Sequence, residues 1–182
     1  MQTITSAEQL TELDEGRESL PYQDERGIWS VGIGHNLEAN GLPANIAASI
    51  HARMGTVAVT PGPVLYPECK DLIEAAGGLT DIEINDLFQL DLAENCGFLS
   101  DYPWFVSTDE VRQAALMDMA FNLGPVQFHE FTTFIGYCAE QAWQQAADDL
   151  RGTLVYKQLP DRYERLAQML ESGAWPQVNQ DG

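Results

Sequence analysis

Basic residues are scarce in this sequence of 182 residues: 9 lysines and arginines face 28 aspartates and glutamates, which leaves a formal net charge of −19. So large a negative excess repels polyanions and negatively charged membrane surfaces. Neither nucleic acid nor an anionic lipid bilayer is therefore an expected partner. The hydrophobic fraction of 45% and the charged fraction of 20% are ordinary for a globular protein, so a buried core is expected.

Cysteines and long apolar runs are also scarce. The 3 cysteines, Cys69, Cys96 and Cys138, are widely spaced and form no Cys-x-x-Cys pair. Neither a disulfide framework nor a zinc site is expected from such spacing. No stretch approaches the roughly 20 apolar residues that cross a bilayer. The first six residues lack the basic start and apolar run of a secretory signal, so we expect a cytoplasmic protein without stable membrane association.

The first element carries helix start and stop signals. Ser6 is followed three residues later by Gln9, which is the spacing of a capping box. Gly16 offers a left-handed stop, and apolar residues recur at helical spacing before it. The pattern predicts a first helix over residues 6–16.

A turn-rich segment follows the predicted helix. Apolar and small residues alternate from Ile28 to Ile33, which predicts a short antiparallel sheet. We expect a β-lobe over about residues 17–60, with a Pro-rich insertion that continues to about residue 79. The prolines favour loops, with a possible helix over residues 43–54 and a possible hairpin around residues 56–60.

The remaining residues, 80–176, have a helical pattern almost throughout. Thr80 and Glu83 form a second capping box, and Asp109 caps a helix that is apolar on most sides and stops at Gly124. We predict a single α+β domain for the whole chain of 182 residues. A mainly helical C-terminal lobe and a small antiparallel β-lobe are expected to enclose a cleft suited to a polymer.

Two carboxylates near the first helix suit the cleavage of a glycosidic bond. That chemistry needs one protonated acid to release the leaving oxygen and one ionised carboxylate on the other side of the sugar ring. Glu15 ends a helix beside apolar residues, which would favour its neutral form, whereas Asp24 lies in a polar turn and would stay ionised. With 28 acidic residues in the chain, the spacing alone also fits solvated surface charge.

An ordered set of motifs surrounds these two residues: Glu15-Gly16, Tyr22-Gln23-Asp24, Gly27, Trp29-Ser30 and Gly32-Ile33-Gly34-His35. In this order they closely resemble the active-site region of the phage T4-type lysozymes, the endolysin muramidases of glycoside hydrolase family 24. Residues 78–92, 115–124 and 143–175 are similar to the long central helix, the core helix and the C-terminal helices of that family. The resemblance implies a lysozyme-like fold with an active-site cleft between the two lobes.

The resemblance also implies catalytic roles. Glu15 stands at the position of the general acid, and Asp24 at that of the carboxylate that assists the attacking water or stabilises positive charge on the sugar. Ser30 occupies the position of a threonine that holds the water. A serine keeps the hydroxyl but loses the methyl group that fixes its rotamer. We therefore expect catalysis with a water that is held more loosely.

Four further residues match supporting positions of the family. Arg162 matches the arginine that pairs with the catalytic glutamate, and Asn122 falls where the family often has a glutamine beside the water. His35 matches the histidine of the motif, which we interpret as a hydrogen-bonding support. Phe121 matches an aromatic residue that lines the cleft and contacts substrate, although core packing is a nearly equal alternative for it.

The activity implied by the resemblance is hydrolysis of the β-1,4 bond between N-acetylmuramic acid and N-acetylglucosamine in peptidoglycan, which lyses the bacterial host. The family inverts at the anomeric carbon, which implies carboxyl groups roughly 6.5–9.5 Å apart. No metal and no cofactor are expected. The partner would be the glycan strand, bound by a monomer. Release from the cytoplasm to the cell wall would need a separate holin-type pore.

Two other functions stay open at the level of sequence. A lytic transglycosylase would use one catalytic glutamate without consuming water, and a peptidoglycan-binding module could keep the fold without catalysis. Cell wall is itself often anionic, so the net charge of −19 is unfavourable for binding unless salt screens it. We hypothesise an adaptation to a salty medium.

Overall fold

The computed structural model describes residues 2–24, 27–57 and 62–178. The fold is α+β, as predicted, because helices dominate and a small three-stranded antiparallel sheet accompanies them. The chain forms two compact units, one of residues 1–14 with 92–182 and the other of residues 15–91. In the described part of the chain, no helix is both long enough and apolar enough to span a bilayer.

The first helix, α1, spans Ala7–Glu15. Its start is capped as predicted, because the Ser6 hydroxyl accepts the backbone N–H of Gln9 at 3.2 Å. The Gln9 side chain returns a contact one residue further upstream, accepting the N–H of Thr5 at 2.9 Å. Gly16 then takes a left-handed conformation at φ 75° and ends the helix.

The small sheet consists of β2 (Glu18–Gln23), β3 (Trp29–Gly32) and β4 (His35–Asn36), in that order and antiparallel. A separate two-stranded pair, β1 (Gln2–Thr3) with β5 (Gln177–Val178), joins the two ends of the chain. Strand β3 lies within residues 28–33, where the alternation of apolar and small residues predicted a strand.

The predicted insertion is mostly helical. It contains α2 (Leu37–Asn40), α3 (Ala44–Met54) and α4 (Glu68–Ala75). The possible helix over residues 43–54 is confirmed, whereas the expectation of loops elsewhere was wrong for α2 and α4. Pro43 and Pro67 stand immediately before α3 and α4, where a proline starts a helix rather than breaking it. Most of the possible hairpin around residues 56–60 lies outside the described residues.

Glu83 fastens the insertion to the start of α5 (Asp81–Cys96). Its carboxylate completes the predicted capping box by accepting the N–H of Thr80 at 2.8 Å, and it also accepts the Ser49 hydroxyl at 2.9 Å and Arg53 Nε at 3.2 Å. Burial acts to raise the pKa of Glu83, but these hydrogen bonds outweigh it and hold that pKa below its usual value. Helix α3 is therefore joined to α5 through one buried carboxylate.

The helical unit continues from a 3₁₀ turn over Gly97–Asp101. Its helices are α6 (Pro103–Val106), α7 (Glu110–Phe128), α8 (Thr132–Ala139), α9 (Trp143–Arg151), α10 (Leu154–Gln158) and α11 (Pro160–Ser172). The Asp109 side chain caps α7 as predicted, and the backbone leaves the helical conformation at Gly124, with φ 71° and ψ 163°. Buried residues of α7, α9 and α11 form the core of this unit.

Ion pairs use nearly all the positive charge of the described residues. Most of these pairs lie at the surface, where a single pair stabilises little. Arg151 binds both Glu164 and Glu171. The arginines and lysines in ion pairs are Arg17, Arg53, Lys70, Arg112, Arg151, Arg162 and Arg165. Within the described part of the chain, Lys157 is the one basic residue outside this set.

Candidate active site

The phenol of Tyr22, on β2, marks the place where the two predicted catalytic carboxylates come together. Burial raises the pKa of Tyr22, and the negative charges of Glu15, Glu18 and Asp24 raise it further. Charges act on a titrating group mainly at short range, so Glu15 and Asp24 both lie near this one ring. Within residues 15–91, the two carboxylates that the sequence singled out thus both act on the ring of Tyr22.

Glu15 is the last residue of α1 and is half-buried. Its carboxyl group lies against the backbone of Gly34, where a Cβ atom would stand 3.1 Å from Glu15 Oε2 and 3.6 Å from its Cδ. Gly34 also has φ 72°, a conformation that L side chains rarely adopt. The Gly-x-Gly-His motif therefore supplies a residue without a side chain where the acid needs room.

Asp24 is held by the turn that follows β2. Its N–H donates to the Ile28 carbonyl at 2.9 Å, and its Oδ1 accepts the Ile28 N–H at 2.9 Å. The N–H of Gly27 closes the turn on the Asp24 carbonyl at 2.9 Å. These backbone contacts fix the direction of the carboxylate, which is half-buried. Glu25 and Arg26, between them, lie outside the described residues.

Ser30 lies on β3 directly opposite Tyr22, and only 4% of it is exposed. Directly paired residues of antiparallel strands present their side chains on the same face of the sheet. The hydroxyl of Ser30 and the phenol of Tyr22 therefore share a face, and that ring is the one near Glu15 and Asp24. The strand pairing places the predicted water-holding hydroxyl in the same neighbourhood as the carboxylates.

His35 is buried and uses both of its ring nitrogens. Nδ1 lies 2.8 and 2.9 Å from the two carboxylate oxygens of Asp91, and Nε2 lies 2.7 Å from the carbonyl of Gly41. A carbonyl oxygen only accepts, so Nε2 donates to it, while Nδ1 faces the carboxylate of Asp91. The ring is thus held between a carboxylate and a backbone carbonyl. Such an arrangement fits the predicted supporting role, because neither nitrogen is left for proton transfer to substrate.

Arg162 lies in the helical unit and is 7% exposed. Its guanidinium binds Asp118 in bidentate fashion, with Nε at 2.9 Å from Oδ2 and Nη2 at 3.1 Å from Oδ1. Nε is also 3.7 Å from Asp14 Oδ2. The pairing of Arg162 with Glu15 that the resemblance implies stays a prediction.

Asp118 was missed by the sequence reasoning. A charged residue at the centre of the apolar run of α7 was the available signal, because a buried carboxylate needs a cationic or hydrogen-bonding partner. Asn122 stands one turn further along α7 and accepts the Tyr163 hydroxyl at 2.9 Å. Phe121 is half-buried, and its substrate contact stays a prediction. Among residues 2–24, 27–57 and 62–178, no three His, Cys, Asp or Glu side chains are grouped so that they could hold a metal ion.

Comparison with known proteins decides the family. A sequence model described as phage lysozyme matches residues 12–159, a range that includes Glu15, Asp24 and Ser30. The chain belongs to the phage lysozyme family. It is therefore a lysozyme-like muramidase, a glycoside hydrolase with the α+β lysozyme fold, which confirms the resemblance to the T4-type lysozymes.

Distant relatives match most of the chain. It is similar to probable T4-type lysozyme 1 of Dictyostelium discoideum, with 22% identity over 93% of this chain and 96% of the relative. Probable T4-type lysozyme 2 of the same organism shows 24% identity over the same shares. The pre-baseplate central spike protein Gp5 of Enterobacteria phage T4 shows 25% identity over 92% of this chain, which corresponds to 28% of the spike protein.

Proposed function

We propose that this phage lysozyme family member is an endolysin that hydrolyses the β-1,4 bond between N-acetylmuramic acid and N-acetylglucosamine, so that the bacterial host is lysed. One observation carries the proposal. The charges of Glu15 and Asp24 both act on the ring of Tyr22, while Ser30 faces that ring from the neighbouring strand. Two carboxylates and a hydroxyl around one phenol are the groups that glycoside hydrolysis requires.

In the proposed reaction, Glu15 donates its proton to the glycosidic oxygen as the bond from that oxygen to the anomeric carbon breaks. A water held by the Ser30 hydroxyl attacks the anomeric carbon, and ionised Asp24 takes the proton that the water loses. One proton thus leaves Glu15 and one arrives at Asp24, while the sugar gains a hydroxyl group. Attack by water on the opposite face inverts the anomeric configuration.

Replacement of Glu15 by glutamine tests the assignment of the acid. Glutamine keeps the size of the side chain but cannot donate a proton, so release of reducing ends from purified peptidoglycan should cease while the protein stays folded. Glu18→Gln is the matched control, because Glu18 also acts on Tyr22 but is exposed on β2. Full activity of Glu15→Gln would remove Glu15 from its role.

The products separate the alternative functions. Mass spectrometry should find fragments with a reducing muramic end, since water supplies the new hydroxyl. Anhydro-muramic ends would instead identify a lytic transglycosylase. Binding to peptidoglycan without fragments would identify a non-catalytic module.

The partner in this proposal is the peptidoglycan glycan strand, and hydrolysis would need neither metal nor cofactor. We propose a monomer that is stored in the host cytoplasm and reaches the wall through a separate holin-type pore. Fractionation of induced cells before and after pore formation would test this route. Lytic protein that reaches the wall in cells without any pore would contradict it.

A further inference from the structure

Trp29, the first residue of β3, is held by two side chains of the insertion. Its backbone N–H donates to Glu38 Oε1 at 2.9 Å. Its ring lies beneath the ammonium group of Lys70, whose Nζ stands 4.6 Å from the ring centroid. Glu38 belongs to α2 and Lys70 to α4, and all three residues lie within residues 15–91. We call Trp29, Glu38, Lys70 and its partner Glu74 the Trp29 cluster.

The side chain of Lys70 has a fixed direction. Its Nζ forms an ion pair with Glu74 Oε1 at 2.7 Å, one turn further along α4, and only 18% of the side chain is exposed. An ammonium group close to the face of an indole ring is attracted by its π-electrons, and more strongly where water is largely excluded. Two attractions therefore hold the ammonium group between the carboxylate of Glu74 and the ring of Trp29.

Helix α4, which carries Lys70, is itself fastened to the small sheet. Cys69 and Ile73 of this helix are fully buried. Beyond the end of the helix, the Leu79 N–H donates to the carbonyl of Ser19 on β2 at 2.8 Å, and α4 also lies beside that strand. Lys70 is therefore anchored to the same sheet that contains Trp29.

Trp29 stands between two residues that matter for the proposed reaction. Before it, Ile28 exchanges two hydrogen bonds with Asp24, each 2.9 Å long. After it comes Ser30, which pairs with Tyr22 across the sheet. Successive residues of a strand point to opposite faces, so the ring of Trp29 lies on the face away from the Ser30 hydroxyl. The Trp29 cluster therefore supports this strand from behind.

A displacement of Trp29 reaches groups on both sides of it. Consecutive Cα atoms are a fixed distance of about 3.8 Å apart, so Trp29 cannot shift without moving Ile28 and Ser30. Ile28 in turn carries the N–H that orients the Asp24 carboxylate. Misplacement of reacting groups by about 1 Å can lower a rate about a hundredfold. The placement of Asp24 relative to Ser30 thus depends on how firmly the insertion holds Trp29.

We propose that Lys70 and Glu38 are positioning residues for the hydrolytic reaction. Lys70 holds the ring of Trp29 and Glu38 holds its backbone, and through Trp29 they set Asp24 and Ser30 relative to each other. The insertion thereby keeps the turn and the strand of the site in place. The inference rests on the proposed function, which it deepens by adding two residues that act through Trp29.

Lys70→Met tests the contact with the ring, because methionine keeps the length of the side chain and removes the charge. We expect kcat on soluble peptidoglycan fragments to fall about fivefold, with KM within about twofold, since the variant misplaces reacting groups and leaves substrate binding intact. Lys70→Arg should keep kcat within about twofold of wild type, because a guanidinium also binds an aromatic face and a carboxylate. In a Trp29→Leu background, Lys70→Met should lower kcat no further.

Lys157→Met is the matched control for Lys70→Met. It makes the same change of side chain and of net charge at an exposed position of α10. Its kcat should equal that of wild type, so a loss caused by the added negative excess alone would appear in both variants.

Glu38→Ala tests the contact with the backbone. It removes the acceptor of the Trp29 N–H and should lower kcat about threefold, whereas Glu38→Gln keeps an oxygen that accepts this N–H and should retain the wild-type rate. Glu38 is exposed, so water replaces the lost acceptor and the midpoint of urea denaturation should stay close to that of wild type. A fall in kcat without a fall in this midpoint distinguishes positioning from a contribution to stability alone.

The outcomes separate this inference from the proposed function. A wild-type protein that releases no reducing ends from peptidoglycan would overturn both. An active wild type whose Lys70→Met and Glu38→Ala variants keep full kcat would overturn the positioning roles and leave the proposed function intact. The role of Lys70 would also fall if Lys70→Arg were as slow as Lys70→Met, or if the Trp29→Leu background showed the full further loss. A rise in KM with unchanged kcat would overturn it too, because Lys70 would then bind substrate directly.

Discussion

Replacement of Glu83 by glutamine should weaken the contact between the insertion and the start of α5, and so lower the stability of the protein. The carboxylate of Glu83 accepts hydrogen bonds from Thr80, Ser49 and Arg53, and it is 1% exposed. Glutamine has one acceptor oxygen and one donor nitrogen, so it cannot satisfy donors on both sides. If its nitrogen faces Arg53, two donors oppose each other; if it faces Thr80, the helix cap is lost.

The magnitude follows from these contacts. A hydrogen bond to a charged group contributes about 1.5–3 kcal/mol, and a helix cap contributes about 1 kcal/mol. A fully buried ion pair that loses one partner costs about 3–5 kcal/mol, but the Arg53 side chain is 29% exposed and water compensates part of that cost. We therefore expect the free energy of unfolding to fall by about 2–3 kcal/mol.

Urea denaturation measures this change, with Glu94→Gln as the matched control. Glu94 is an exposed residue of the same helix, so its variant should stay within about 0.5 kcal/mol of wild type. Amide hydrogen exchange in α3 should also become faster in Glu83→Gln. A Glu83→Gln protein as stable as the control would refute the anchoring role of Glu83.

The pH dependence supplies an independent check. The pKa of Glu83 is lowered in the folded state, so its ionised form stabilises the protein fully above the usual carboxylate pKa of the unfolded chain. This contribution is lost as pH falls through the folded-state value. The stability difference between wild type and Glu83→Gln should therefore narrow on acidification. A difference that is constant with pH would contradict this assignment.

Three further predictions concern activity. Gly34→Ala should lower both lytic rate and stability, because a Cβ at φ 72° would stand 3.1 Å from Glu15 Oε2; a turbidity assay with unaffected clearing would contradict this contact. Ser30→Thr should raise kcat while Ser30→Ala lowers it, since a β-branched residue fixes its hydroxyl more firmly; equal rates would exclude a hydroxyl-held water. With a net charge of −19, clearing of chloroform-treated Gram-negative cells should increase with added salt, and highest activity at very low salt would exclude the salt adaptation.

Local signals account for the elements that the sequence predicted well. The side chains of Ser6, Thr80 and Asp109 each accept the backbone N–H of the residue three positions later. Their capping roles can therefore be predicted from a short stretch of sequence. The strand over residues 28–33 was equally visible from its alternation. By contrast, a proline such as Pro43 or Pro67 is compatible both with a loop and with the start of a helix. Only the packing of the residues that follow it decides between the two.

The candidate site divides in the same way. Glu15, Asp24 and Ser30 lie within a span of sixteen positions and could be identified from one ordered motif. Asp118 and Tyr163 contact Arg162 and Asn122 across 44 and 41 positions, and only the packing of α7 against α11 creates these contacts. No local pattern announces such a pair, although a lone aspartate in an apolar helix predicts that some partner exists.

The shortage of cations has a practical consequence for anyone who redesigns this enzyme. Seven of the described arginines and lysines already form ion pairs, so the removal of one both raises the excess of negative charge and breaks an ion pair. The solubility and salt response of the protein are therefore better adjusted by changing acidic residues. Exposed acidic residues without a partner, such as Glu94, can be replaced by their amides one at a time, and every ion pair is then kept.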